Sequence, residues 1–177
     1  MIRKRATMTS TVKASDSDGT ATAIFSRFGG PPDSDGDITL PTAFTAGVVV
    51  PVSPWNHSSY SSDLPAGLGT IRVYKDRAEA EIEFFLDTVA GRETYRTLKA
   101  LGRCQWSYGF DIVKSSNGDW NGRGVRVLEK LDVMELSPVL RGAGRDTETV
   151  NVRSAAATRQ AAAREYARFV RTTHLGG

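Results

Sequence analysis

Hydrophobic and polar positions alternate most cleanly in Ala78-Glu79-Ala80-Glu81-Ile82-Glu83-Phe84, the pattern of a strand with one buried face and one in water. Residues 70–74 precede it across Lys75-Asp76-Arg77, which predicts a hairpin of 70–74 with 78–86. Further strands are expected at 20–28 and 48–52. A short extended piece at 38–44 should enter a helical turn. Gly29-Gly30-Pro31-Pro32 must leave any ladder, since proline cannot donate to one. Asp87-Thr88 can cap a helix over 89–101, whose apolar Val89, Tyr95, Leu98 and Leu101 recur at helical spacing and which Gly102 ends. Residues 58–69 and 115–124 read as polar, glycine-containing loops. Residues 125–140 read as a long extended stretch broken at Pro138, and 154–173 as an alanine- and arginine-rich helix. The pattern predicts a mainly β (α+β) protein, a barrel or sandwich of six or seven strands with helical additions.

One stretch, residues 104–113 (CQWSYGFDIV), organises this picture. At the strand period of two, Trp106, Tyr108, Phe110 and Ile112 share one face. Gln105, Ser107, Gly109 and Asp111 share the other. A serine on a rigid strand, beside a glycine that leaves space above it, is where a nucleophile can stand. Taken alone, the stretch is more ordinarily a strand with a polar outer face.

Composition changes the picture little. The chain has 177 residues, is 40% hydrophobic and 24% charged, and so suits one soluble domain with its own core. The formal net charge of +3 gathers near the ends, without the basic stripe interleaved with aromatics that nucleic acid would require. The single cysteine, Cys104, excludes an internal disulfide and a cysteine-based metal cluster, and its parity with Trp106 makes it a small buried hydrophobe. Asp33-Ser34-Asp35-Gly36-Asp37 is dense in carboxylates. As a calcium loop it has Gly36 at the fourth position instead of the sixth, and Phe44 at the twelfth where a Glu is needed, so an Asx-rich turn is expected. No metal or cofactor is called for. No apolar run follows the basic Met1–Arg5 start or approaches the ~20 residues of a membrane span, so a soluble intracellular protein is expected.

Scarcity of histidine permits elimination. Only His57 and His174 exist, and His174 lies close to the end of the chain given. A general base working near neutrality is therefore His57 or nothing; His57 sits just past Trp55 at a strand end, and read alone it is more ordinarily a surface histidine in a serine-rich loop. In residues 131–140 (LDVMELSPVL) both faces are apolar, and strict alternation puts Glu135 with Leu131 and Val133. A carboxylate buried there costs several kcal/mol unless it pairs, with an arginine or with an imidazole. Ser107, His57 and Glu135 are the three parts of a nucleophile–base–orienter triad.

The chain resembles the prohead (capsid maturation) serine proteases of tailed bacteriophages, of the same clan as the herpesvirus assemblins. The resemblance rests on Asp33-Ser34-Asp35-Gly36-Asp37-Ile38 with Pro41-Thr42-Ala43-Phe44, Asn56-His57, Ser107-Tyr108-Gly109-Phe110 and Glu135-Leu136-Ser137-Pro138-Val139, in that order. It spans roughly residues 20 to 150. It implies a closed or partly open antiparallel β-barrel flanked by helices. It implies a protease domain at 19–152 between a flexible arm, 1–18, and a basic tail, 153–177. Ser107 would be the nucleophile and His57 the base. The assemblins use a second histidine as the third member. This sequence has none in that region, so Glu135 takes the place, with Asp132 and Asp111 as fallbacks. Arg141-Gly142-Ala143-Gly144-Arg145 resembles the segment that helps form the assemblin oxyanion hole, which makes Arg141 and Gly142 the candidate donors.

The implied activity is proteolysis of the major capsid protein and the scaffold inside the procapsid, in the host cytoplasm, through an acyl-enzyme, with no cofactor, metal or membrane. A homodimer, as in the assemblins, is an open option. The tail could dock on the procapsid, be removed by self-cleavage, or be a solvated amphipathic helix. One competing reading is an inactive capsid or scaffold protein with the same barrel. The other is an unrelated barrel that binds nucleic acid through its basic ends.

Overall fold

The computed structural model describes residues 5–6, 19–140, 142–144 and 147–153. Its strands are β1 (Arg5–Ala6), β2 (Thr20–Arg27), β3 (Asp37–Thr39), β4 (Val49–Val52), β5 (Gly67–Val73), β6 (Arg77–Phe84), β7 (Gln105–Trp120), β8 (Arg123–Val139), β9 (Gly142–Ala143) and β10 (Glu148–Arg153). One α-helix, α1 (Val89–Leu101), and two 3₁₀ segments, Pro41–Ala43 and Trp55–Ser61, complete it, so the fold is mainly β with helices. No described helix is long and apolar enough to cross a membrane.

Eight strands form one sheet in the order β10-β2-β6-β5-β4-β8-β3, with β7 paired to β8. Two features depart from the expected antiparallel barrel. First, β3 and β4 both run parallel to β8, β3 through Asp37–Thr39 and β4 through Val52 opposite Leu136. Second, the sheet is not closed. Between β10 and β7 the described residues form no ladder, because threonine hydroxyls take those bonds. Thr147 Oγ1 accepts from Trp106 N (3.2 Å) and Thr149 Oγ1 from the Trp106 indole (2.9 Å), with one backbone bond from Thr149 N to Cys104 O (3.1 Å).

The alternation in β6 works as read: Ala78, Ala80, Ile82 and Phe84 are core, and Glu79, Glu81 and Glu83 lie on the other face. Thr88 caps α1 by accepting from Gly91 N (3.0 Å), and Gly102 ends it at φ +69°. The buried stripe of α1 is Gly91, Thr94, Tyr95 and Leu98, whereas Val89 and Leu101 are exposed. The difference follows from Gly91, where a Cβ would overlap Phe85 O and lie 2.7 Å from Ala66 O. The helix sits so close to the sheet at that glycine that its orientation is set there.

The expected loop at 115–124 is strand. β7 runs to Trp120 and turns only at Asn121-Gly122, both at positive φ (54° and 79°), the pair that a tight hairpin turn favours. Beyond the core this hairpin is solvated, so Ile112, expected inside, is 39% exposed. Pro138 does not break β8. It stands opposite Trp106, whose N–H points to Thr147, so this is a position where neither strand offers the other an N–H. Of the expected arm only Arg5–Ala6 is described, paired with β9. The expected tail helix lies outside the described residues.

Candidate active site

Trp106 is fully buried, with its indole N–H satisfied, and Tyr108 packs edge-on against Phe25 and Phe44 at centroid distances of 5.5 and 5.4 Å. Burying a tryptophan to this degree stabilises by about 3–5 kcal/mol relative to alanine. The strand carrying Ser107 is therefore anchored on both sides of it. Ser107 itself turns to the opposite face.

What shares that face is decided by one irregularity. Gly109 pairs with Glu135, but Phe110 pairs with Val133, which leaves Met134 as an extra residue in β8. Such a bulge reverses the side-chain parity of one strand. Strict alternation had put Glu135 with Leu131 and Val133; the bulge puts it on the other face. Directly opposite residues point the same way, so Ser107, Ser137, Gly109 and Glu135 form one polar patch. Glu135 is buried as expected (4% exposed), but under the histidine segment and not in the apolar core.

That segment follows β4. Ser53 N donates to Leu136 O (2.8 Å), tying the end of β4 to β8. Asn56 and His57 then adopt left-handed backbone, φ 58° and 59°. For residues other than glycine this costs on the order of 1–2 kcal/mol. Ser137 holds it in place: its wholly buried Oγ accepts from His57 N (2.9 Å) and donates to Pro54 O (2.8 Å). The His57 ring reaches across the patch, and Nδ1 meets Glu135 Oε1 at 2.6 Å. With Nδ1–H committed to the carboxylate, Nε2 is the nitrogen left to accept a proton. His57 is 9% and Ser107 7% exposed. Ser107 stands beside Ser137 in register, and no hydrogen bond joins it to His57 in this arrangement.

The glycine at 109 is a requirement. A Cβ there would overlap the Tyr60 hydroxyl and lie 2.8 Å from Glu135 Oε1. Burial, then the charges of Glu135 and Asp111, raise the Tyr60 phenol above its ordinary value. Four buried polar atoms here have no partner: Glu135 Oε2, Trp55 Nε1, Ser58 Oγ and Ser59 Oγ. All four lie on the histidine segment or the carboxylate beneath it, a concentration expected at functional sites.

Of the fallback carboxylates, Asp111 and Asp132 face each other across β7 and β8, both exposed, and neither bonds His57. Arg141 lies outside the described residues. Gly142 is in β9, opposite Ala6. Burial pushes the Cys104 thiol up to about 12, so it is no thiolate at neutral pH. In the acidic turn, Asp33 Oδ1 accepts from Asp35 N and Asp37 N, and Asp37 is held by Arg126 at 2.8 and 2.7 Å, the Asx turn expected. Among the described residues no three metal-ligating side chains converge. Sequence reasoning missed Ser137 and Tyr60. The signal for Ser137 was its parity with Glu135; for Tyr60 there was none.

The caudovirus prohead serine protease family matches residues 13–161. The chain belongs to that family. That family comprises serine proteases of the tailed-phage prohead, and the match covers the whole patch built by β4, β7 and β8. No curated protein and no solved structure matches the chain.

Proposed function

We propose that the protein is an endopeptidase that cleaves capsid or scaffold protein, and its own ends, inside the procapsid in the host cytoplasm, with Ser107 as nucleophile. The observation that carries this reading is the 2.6 Å contact of His57 Nδ1 with a buried Glu135 carboxylate on the face that holds Ser107. Histidine in that state is oriented as a general base with Nε2 outward. His57 takes the Ser107 proton as Oγ attacks the scissile carbonyl, and Glu135 stabilises the imidazolium that forms. The imidazolium then protonates the leaving amine, and water, activated by the same base, hydrolyses the acyl-enzyme. Backbone amides around Arg141-Gly142 would serve the oxyanion, worth roughly 3–4 kcal/mol per donor in other hydrolases.

The test is co-expression of this chain with its capsid protein, beside Ser107→Ala, His57→Gln and Glu135→Gln, read by intact-mass spectrometry. New termini that vanish with Ser107→Ala support the assignment. Cleavage that survives Ser107→Ala overturns it. Absence of cleavage with an assembled partner favours an inactive structural protein.

A further inference from the structure

The His57–Glu135 pair leaves one atom unexplained. Glu135 Oε2 is buried without a hydrogen-bond partner, while Oε1 is taken by His57. A buried carboxylate ordinarily has both oxygens satisfied. One donor stands next to it: the Tyr60 hydroxyl fills the space over Gly109 that Glu135 Oε1 borders from the other side. The Tyr60 ring lies 6.4 Å from the imidazole, tilted by 37°. Its pKa is raised, chiefly by burial, so it is protonated at neutral pH and able to donate.

We infer that Tyr60 is a positioning residue: its hydroxyl, admitted by the missing side chain at Gly109, donates to Glu135 and holds that carboxylate in the orientation that grips His57 Nδ1. In the arrangement described the bond is open. Tyr60 is 48% exposed, so its ring can move without disturbing the core. Next along this face come Asp111 from β7 and, opposite it on β8, Asp132, with the Lys114–Lys130 pair beyond them. Asp111 and Asp132 are carboxylates, which as anions only accept hydrogen bonds. The kinetic consequence rests on the triad reading above; the hydrogen bond does not.

Tyr60→Phe keeps the ring and removes the donor. Without it the carboxylate that grips His57 loses a partner, so the His57 Nδ1–H proton resonance, followed by NMR in the full chain, moves or broadens relative to wild type. On capsid substrate, kcat falls about tenfold at unchanged KM. A wild-type Nδ1–H resonance in Tyr60→Phe overturns the inference. So does a silent Tyr60→Phe beside a Tyr60→Leu that disturbs the site, since only ring packing would then matter. Because the resonance is read without catalysis, a changed resonance together with cleavage that survives Ser107→Ala keeps this inference and removes Ser107 from its role.

Discussion

Ser137→Ala isolates the part of the site that is least visible from the chemistry. Its hydroxyl is wholly buried, accepts from His57 N at 2.9 Å and donates to Pro54 O at 2.8 Å. Alanine removes both bonds and offers the freed groups nothing, and orphaning a buried backbone group costs about 1–3 kcal/mol. The left-handed backbone at Asn56 and His57 holds a further 1–2 kcal/mol on the order of magnitude, which relaxation of the segment would recover. Two groups are orphaned, about 2–6 kcal/mol in all, so with that strain recovered the net loss centres on about 2–3 kcal/mol. For a chain of this size that lowers Tm by roughly 5–10 °C. If the segment relaxes, the imidazole leaves its place over the patch, and a displacement of ~1 Å costs about 100-fold in kcat. Thermal unfolding and the mass-resolved cleavage assay read the two effects. Ser107→Ala is the control, since no side-chain hydrogen bond of Ser107 is lost in this arrangement and the substitution should abolish cleavage at nearly unchanged Tm. Should Ser137→Ala cleave at the wild-type rate with Tm within ~1 °C, the account of what holds His57 is wrong.

Glu135→Gln keeps the volume but cannot stabilise an imidazolium, and a drop in kcat of about 10³–10⁴-fold is expected; Asp111→Asn and Asp132→Asn should stay within a few-fold, and the reverse ranking would move the orienting role to one of them. Gly109→Ala forces a methyl into the Tyr60 hydroxyl and against Glu135 Oε1, so cleavage should fall at least 100-fold while Tm moves little, because Tyr60 can swing out; wild-type cleavage would show the space to be slack. Cys104 sets an alkaline limit. Its folded-state thiol is pushed up to about 12 from an ordinary 9, so between those values the unfolded chain has lost a proton that the folded one keeps. Stability is complete below pH ~9 and falls by about 1.4 kcal/mol per unit above it. Urea unfolding between pH 9 and 11 should show that slope shrink in Cys104→Ala, and an unchanged slope would discard the explanation.

The candidate site is a strained turn held by buried hydroxyls, Ser137 on His57 N and Ser53 on Ser59 N. β4 and β8 are tied by Ser53 N to Leu136 O, and Ser137 continues that seam into the turn that carries His57. The strained backbone, the bulge at Met134 and the glycine at 109 all lie within this seam. Each breaks a local rule that the rest of the fold obeys, which is where function is expected to sit.

By itself the sequence determined whatever depends on near neighbours. The Thr88 cap and Gly102 stop define α1 because capping is a matter of four residues. The faces of β6, and of β7 from Trp106 to Phe110, follow from a period of two wherever the ladder is regular. Two histidines in 177 residues left His57 as the candidate base. Tertiary structure decided what depends on a partner strand. The bulge that turns Glu135 to the face of Ser107 lies where β8 pairs with β7 on one side and meets β4 on the other. Strand continues through residues 115–120 because β8 supplies the bonds that their polar side chains would not predict. Ser137 and Tyr60 acquire their roles from atoms 80 and 49 positions away in the chain, His57 and Gly109. No periodicity carries information over such separations; only the register of the folded sheet does.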